Sequence, residues 1–259
     1  MSIDSSSKQH QNIPKVNQVP RVVLLVLGTV GLFFVGQVIG VYLMYFVLSA
    51  LGFGSNEVQA LLSNNLAVQF ATVLIIEIVT IGILWWLHHF KNQNFWKLIG
   101  LDSRPKVSFI GWAVIIYGLY FLTLIISVAV IKTLIPSLDV DQMQRLGFDS
   151  ASGGGLIFVF ITLVILPPIA EEIIFRGFLY QRLRGLITIY PAAIISSVIF
   201  ALAHTEFLGD NPLNWIAAID TFIFSFFLIF LLQKTKSLWP SIFLHGIKNC
   251  IAFTVLFIL

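Results

Sequence analysis

The sequence predicts an all-α fold: a polytopic transmembrane helix bundle of about seven spans, with the N-terminus inside and the C-terminus outside. Three observations predict it. Of 259 residues, 58% are hydrophobic and only 10% are Asp, Glu, Lys or Arg, where a soluble globular chain carries about a quarter charged residues. Mean hydropathy is +0.95, and a single soluble core of this size cannot bury so much apolar surface. The basic residues also gather in alternate loops. This composition excludes a soluble enzyme, a disordered chain, a coiled coil and a secreted disulfide scaffold. A lone cysteine, Cys250, permits no intrachain disulfide and no Cys-based zinc site.

Seven stretches read as spans: residues 22–51, 66–86, 108–135, 155–179, 192–204, 213–232 and 238–259. A helix needs about 20 apolar residues to cross a bilayer, so the fifth is short. The fourth contains Pro167-Pro168, which interrupts a helix ladder. Residues 1–20 are polar and read as a disordered cytoplasmic tail. The first apolar run is too long for a signal peptide. With the N-terminus inside, Lys8, Lys15, Arg21, Lys91, Lys97, Arg104, Lys106, Arg182, Arg184, Lys234 and Lys236 fall inside, against Lys132 and Arg145 outside. Glu57, Asp139, Asp141, Asp149, Glu206 and Asp210 lean outward. That asymmetry is the positive-inside pattern. It also accounts for the net charge of +3 without nucleic-acid binding. No internal repeat is visible. The run from Ser150 to Gly155, Ser-Ala-Ser-Gly-Gly-Gly, reads as a hinge between an N-terminal bundle, residues 21–150, and a C-terminal domain, residues 151–259.

Ionisable side chains at membrane depth are costly and mark functional sites by default. Here they are Glu77, Glu171, Glu172, Arg176, His204, Asp220, His245 and Lys248, joined by the polar Asn249. Most fall into three clusters on three spans. In the first, Glu172 and Arg176 are spaced i, i+4 and can pair, which leaves Glu171 on a neighbouring face without a local counter-charge. In the second, Phe200 and His204 share a face. In the third, His245 and Asn249 do. Each cluster alone has a bland reading: a structural salt bridge, an interfacial histidine, an interhelical hydrogen bond. A shared polar cavity explains all three together. Lys248 and Asp220 are expected to pair across helices. Glu77 reads as structural, and His88 and His89 as interface anchors.

A carboxylate, two histidines and an amide are parts of a hydrolytic site. Zinc accepts a ligand set such as Glu171, His204 and His245 with a water in the fourth place. The same residues permit a metal-free scheme. Glu171 is then the general base with His204, and His245 and Asn249 donate to an oxyanion. No His-Glu-x-x-His, Gly-x-Gly-Asp or Gly-x-Ser-Gly pattern is present, so a covalent nucleophile has no candidate.

The ordered motifs Glu171-Glu172-x-x-x-Arg176, Phe200-x-x-x-His204 and His245-x-x-x-Asn249 resemble those of the CPBP intramembrane proteases, the CAAX-protease or Abi family. That family includes type II CAAX prenyl endopeptidases and bacteriocin self-immunity proteins. The likeness covers residues 155–257. It implies a membrane endopeptidase with Glu171, His204, His245 and Asn249 at the core of its site, supported by Glu172 and Arg176. It leaves open whether zinc is used. The implied partners are a peptide or membrane-protein substrate and the lipid bilayer, with no nucleic acid. The compact chain reads as a multi-pass protein of a bacterial plasma membrane. A non-enzymatic adaptor or immunity protein of the same fold is the rival reading, and a proton-coupled carrier a further one.

Overall fold

The computed structural model describes residues 18–89, 94–139, 148, 151–205 and 214–259. Most of the expected tail lies outside them, as do Lys8, Lys15, Lys91, Asp141, Arg145, Asp149, Glu206 and Asp210. The described residues form helices and no strand. We number the helices α1 (Gln18–Ala50), α2 (Ser55–Asn64), α3 (Leu66–His89), α4 (Phe95–Ile99), α5 (Val107–Leu134), α6 (Gly153–Leu186), α7 (Ile189–Leu202), α8 (Trp215–Thr235) and α9 (Trp239–Phe257). Six of them, α1, α3, α5, α6, α8 and α9, are long and apolar enough to cross a membrane. The chain is a multi-pass membrane helix bundle.

The expected spans match these helices with shifted ends. Gln18 to Pro20 form the first turn of α1 and do not belong to the tail. A proline is tolerated there because the first N–H groups of a helix have no intrahelical partner. The fifth stretch becomes α7, only 14 residues long, or about 21 Å. His204 falls just past its end.

α1 and α3 pack closely because α1 presents glycine to α3. A Cβ added at Gly36 would lie 1.9 Å from Thr80 Oγ1, and one at Gly40 would lie 2.4 Å from Ile76 Cγ1. Small residues at such a crossing let the helix backbones approach, which replaces hydrophobic driving force inside a bilayer. The outer face of α1 is left to lipid: Leu24 is 73% exposed and Phe46 is 69% exposed.

α6 is the central element. It touches α1, α3, α4, α7, α8 and α9. Ile173, Ile174, Phe175, Leu179, Tyr180 and Leu183 of α6 share one core with Leu32, Leu84, Phe95, Ile99, Ala192, Phe200 and Leu232. This core joins helices on both sides of the Gly153–Gly155 turn. A second core packs Tyr120, Phe224, Leu228 and Leu244 between α5, α8 and α9. His88 does not face lipid. It is buried, its Nδ1 meets the Leu84 carbonyl at 2.8 Å, and its ring meets Phe95 and Phe178.

Candidate active site

The site grows from two irregularities in α6. Pro167 and Pro168 carry no backbone N–H, so the carbonyls of Leu163 and Val164 lose their usual i→i−4 donors. The turn before them, Ile161–Ile165, widens into a π-helix, a conformation frequent at functional sites. α9 seats itself against this opening. Asn249 Nδ2 donates to the Leu163 carbonyl at 2.8 Å. A Cβ at Gly246 would rest 3.6 Å from the Val164 carbonyl. The proline pair therefore creates an acceptor, and Asn249 satisfies it.

A second π-helical stretch, Glu172–Tyr180, follows directly. Glu172 and Arg176 pair as their spacing predicts, Nη1 to Oε1 at 2.9 Å, with both side chains fully buried. The same Glu172 Oε1 lies 3.0 Å from His245 Nδ1. The ring of Phe200 covers the Arg176 guanidinium at 3.7 Å from its centroid. This contact spreads the cation over an aromatic face instead of leaving it bare in a low-dielectric interior. Phe200 also meets the rings of His204 and His245 edge-on, with centroids at 4.5 and 6.0 Å.

Glu171 points to the other side of the same histidine. Its Oε2 lies 3.6 Å from His204 Nε2 and 3.8 Å from His245 Nε2. These spacings exceed a direct hydrogen bond, and Oε2 is buried without a hydrogen-bond partner. His204 Nδ1 lies 2.9 Å from the Phe200 carbonyl, which can only accept. Nδ1 of His204 therefore carries the hydrogen, as does Nδ1 of His245 beside the Glu172 carboxylate. In the neutral rings each Nε2 is left as a lone pair facing Glu171. Three acceptors converge, an arrangement that a water, with two hydrogens to give, satisfies across such distances. The side chains of His204 and Glu171 are 25% and 17% exposed, against 6% for His245, so the cluster opens on the His204 side.

Glu171, Glu172, Arg176, His204 and His245 are thus brought together. Asn249 joins them through the α6 backbone, with one Nδ2 hydrogen used on Leu163 and the second remaining. Glu171, His204 and His245, the expected zinc set, offer suitable donor types. Among the described residues, however, no group of three or more His, Cys, Asp or Glu side chains is spaced to hold a metal ion. Two features were not read from the sequence. Phe200 acts as an aromatic floor, for which its i, i+4 spacing to His204 was the signal. The Leu163 carbonyl was signalled by Pro167, four residues on.

Beside the site, Lys248 Nζ meets Asp220 Oδ2 at 2.8 Å, as expected. Tyr120 donates its hydroxyl to the other oxygen of Asp220, and Lys248 lies over the Phe224 ring at 4.5 Å. The pair is neutral as a unit.

Residues 153–251 match the family described as type II CAAX prenyl endopeptidase Rce1-like. Through that segment, less than half of the chain, it is similar to this family. The Rce1-like segment holds all six site residues, from Glu171 to Asn249, and lies wholly C-terminal to α5. Over 85 residues the chain is 36% identical to a Bacillus subtilis (strain 168) protein named "Putative membrane peptidase YdiL", covering 33% of this chain. The chain spans 32% of the length of that relative. No solved structure matches the chain.

Proposed function

We propose that the chain is an intramembrane endopeptidase that hydrolyses a peptide bond by activating water, without a covalent intermediate. The observation that carries this reading is the convergence of two histidine Nε2 atoms on the buried, unpartnered Glu171 Oε2. Glu171 removes a proton from water while His204 orients it, and the water oxygen attacks the scissile carbonyl carbon. His245, oriented through Nδ1 by Glu172, turns Nε2 toward the reacting carbonyl and donates to the oxyanion when that nitrogen carries a proton. The second Nδ2 hydrogen of Asn249 serves the same task. Collapse of the intermediate breaks the C–N bond, and the proton held by Glu171 passes to the leaving amine. Arg176 balances the charge of Glu172 and holds its carboxylate beside His245. The substrate is a peptide or membrane-protein segment. The loop charges support an N-in, C-out chain in a bacterial plasma membrane.

A second reading is favoured by the same histidines. With Nδ1 engaged elsewhere, their Nε2 atoms are held as metal-ligating imidazoles are. A zinc ion would need Glu171, His204 and His245 to draw closer together than they stand here, and would then polarise the carbonyl and acidify the water. Purified in detergent, the wild type is expected to cleave hydrophobic peptides, and Glu171→Gln to lose about 10² to 10⁴ in rate. Unchanged cleavage in the variant sinks the hydrolytic assignment. Metal content measured on the same samples separates the schemes: stoichiometric zinc supports the second, and full activity in metal-stripped protein supports the first.

A further inference from the structure

Glu77 takes no part in the hydrolytic cluster. It sits near the middle of α3, about 17 Å from either end. It lines a groove of about 400 Å³ between α3, α4 and the proline turn of α6. The other lining residues are apolar, among them Leu74, Ile81, Trp85, Trp96 and Ile169. The groove ends at Ala170, the residue before Glu171. Among the described residues, no hydrogen bond or ion pair reaches the Glu77 carboxylate, and the charged group whose field it feels is another carboxylate, Glu171.

We infer that this groove is a subsite for a basic side chain, Lys or Arg, of the polypeptide substrate. The inference rests on the peptidase reading and names a feature of its substrate. Three arguments carry it. A lone carboxylate facing an apolar groove at membrane depth needs a partner that something other than this helix supplies. Carboxyl groups outnumber cationic side chains here: Glu77, Glu171 and Glu172 stand near one guanidinium, Arg176, while Lys248 and Asp220 pair with each other. A cation therefore relieves both Glu77 and its repulsion from Glu171. Depth excludes a lipid headgroup, which stays near the membrane surface, and leaves a polypeptide residue. A Lys or Arg stem is itself apolar and fits along Leu74 and Ile81, with Trp85 and Trp96 offering aromatic faces to the cation. A chain lying in this groove runs past Ala170 and brings its backbone to Glu171.

The test measures binding, so it does not depend on turnover. Short fluorescein-labelled peptides of Leu and Ala carry one Lys, moved along position by position, or norleucine in its place. Their affinity for the full chain in detergent is read by fluorescence anisotropy. In the wild type, the Lys peptide is expected to bind about tenfold tighter than its norleucine twin at one position. Glu77→Gln is expected to erase that preference while keeping norleucine binding. Glu77→Asp, which retains the charge, is expected to preserve it. Equal binding of every pair by the wild type, or a Lys preference that survives in Glu77→Gln, overturns the inference. Turnover of the same peptides reports separately on the peptidase reading: a Lys preference without cleavage keeps the subsite and removes the peptidase.

Discussion

α1 and α6 are nearly equal in length, 33 and 34 residues, and both are apolar enough to span a membrane. They do opposite work. α1 buries one stripe, Thr29, Leu32, Gly36, Gly40, Met44 and Leu48, at helical spacing, and gives the rest to lipid. α6 buries almost every residue of Glu172–Tyr180, where it is surrounded by protein. α1 gains its close packing by removing side chains at Gly36 and Gly40, and its backbone ladder stays regular. α6 interrupts its ladder at Pro167 and Pro168 and twice widens into a π-helix. The polar groups it thereby exposes are answered from α9, by Asn249 and His245. Hydropathy alone makes these helices look alike. What separates them is whether backbone and side-chain polarity is closed within the helix or completed by a neighbour.

The sharpest way to break this contrast is to remove a neighbour's answer inside α6. Arg176→Leu leaves Glu172 as a fully buried carboxylate with His245 as its remaining partner. A loss of about 3–5 kcal/mol, typical of a broken buried pair, is expected in detergent unfolding. A loss below 1 kcal/mol would mean that the pair contributes little to stability. On the α1 side, Gly36→Leu drives a side chain into Thr80 and is expected to cost about 1–3 kcal/mol, as overpacking does. Because α1 lies outside the Rce1-like segment, that variant should keep its cleavage rate wherever it remains folded, which an assay below its melting point would check. The subtlest change restores a donor. Pro167→Ala supplies an N–H to the Leu163 carbonyl and competes with Asn249 for it. We expect a fall of about tenfold in kcat with KM unchanged, smaller than the roughly 10² that a 1 Å misplacement costs. An equal change in KM would point to substrate binding instead.

Much of this was legible in the sequence because the signals are local. Glu172 with Arg176, Phe200 with His204 and His245 with Asn249 all follow from i, i+4 spacing, and the spans follow from apolar run length. What stayed hidden depends on contacts between distant residues. Glu172 gripping His245 at Nδ1 links positions 73 apart. Adjacent residues on an α-helix diverge by about 100°, which sets Glu171 and Glu172 to different tasks, and they do take different nitrogens of one imidazole. A π-helix turns less per residue, which lets both reach that ring, and no local pattern announces it. Asn249 reads as an oxyanion donor from its chemistry, whereas its bond to Leu163 depends on where α9 docks. Tyr120 joins Asp220 across 100 positions, with no motif to mark it.

The shortness of α7 bears on how the proposed hydrolase would obtain water inside a membrane. At about 21 Å, α7 falls some 9 Å short of an ordinary hydrocarbon core of about 30 Å. A bilayer meets such a shortfall by thinning around it. His204 sits just beyond the end of this helix, on the side where the cluster is most exposed. Thinning by that shortfall would shorten the path of water to Glu171 by at most about 9 Å, which ties the supply of the reactant to membrane thickness. A thicker bilayer should starve the site without altering any of its residues.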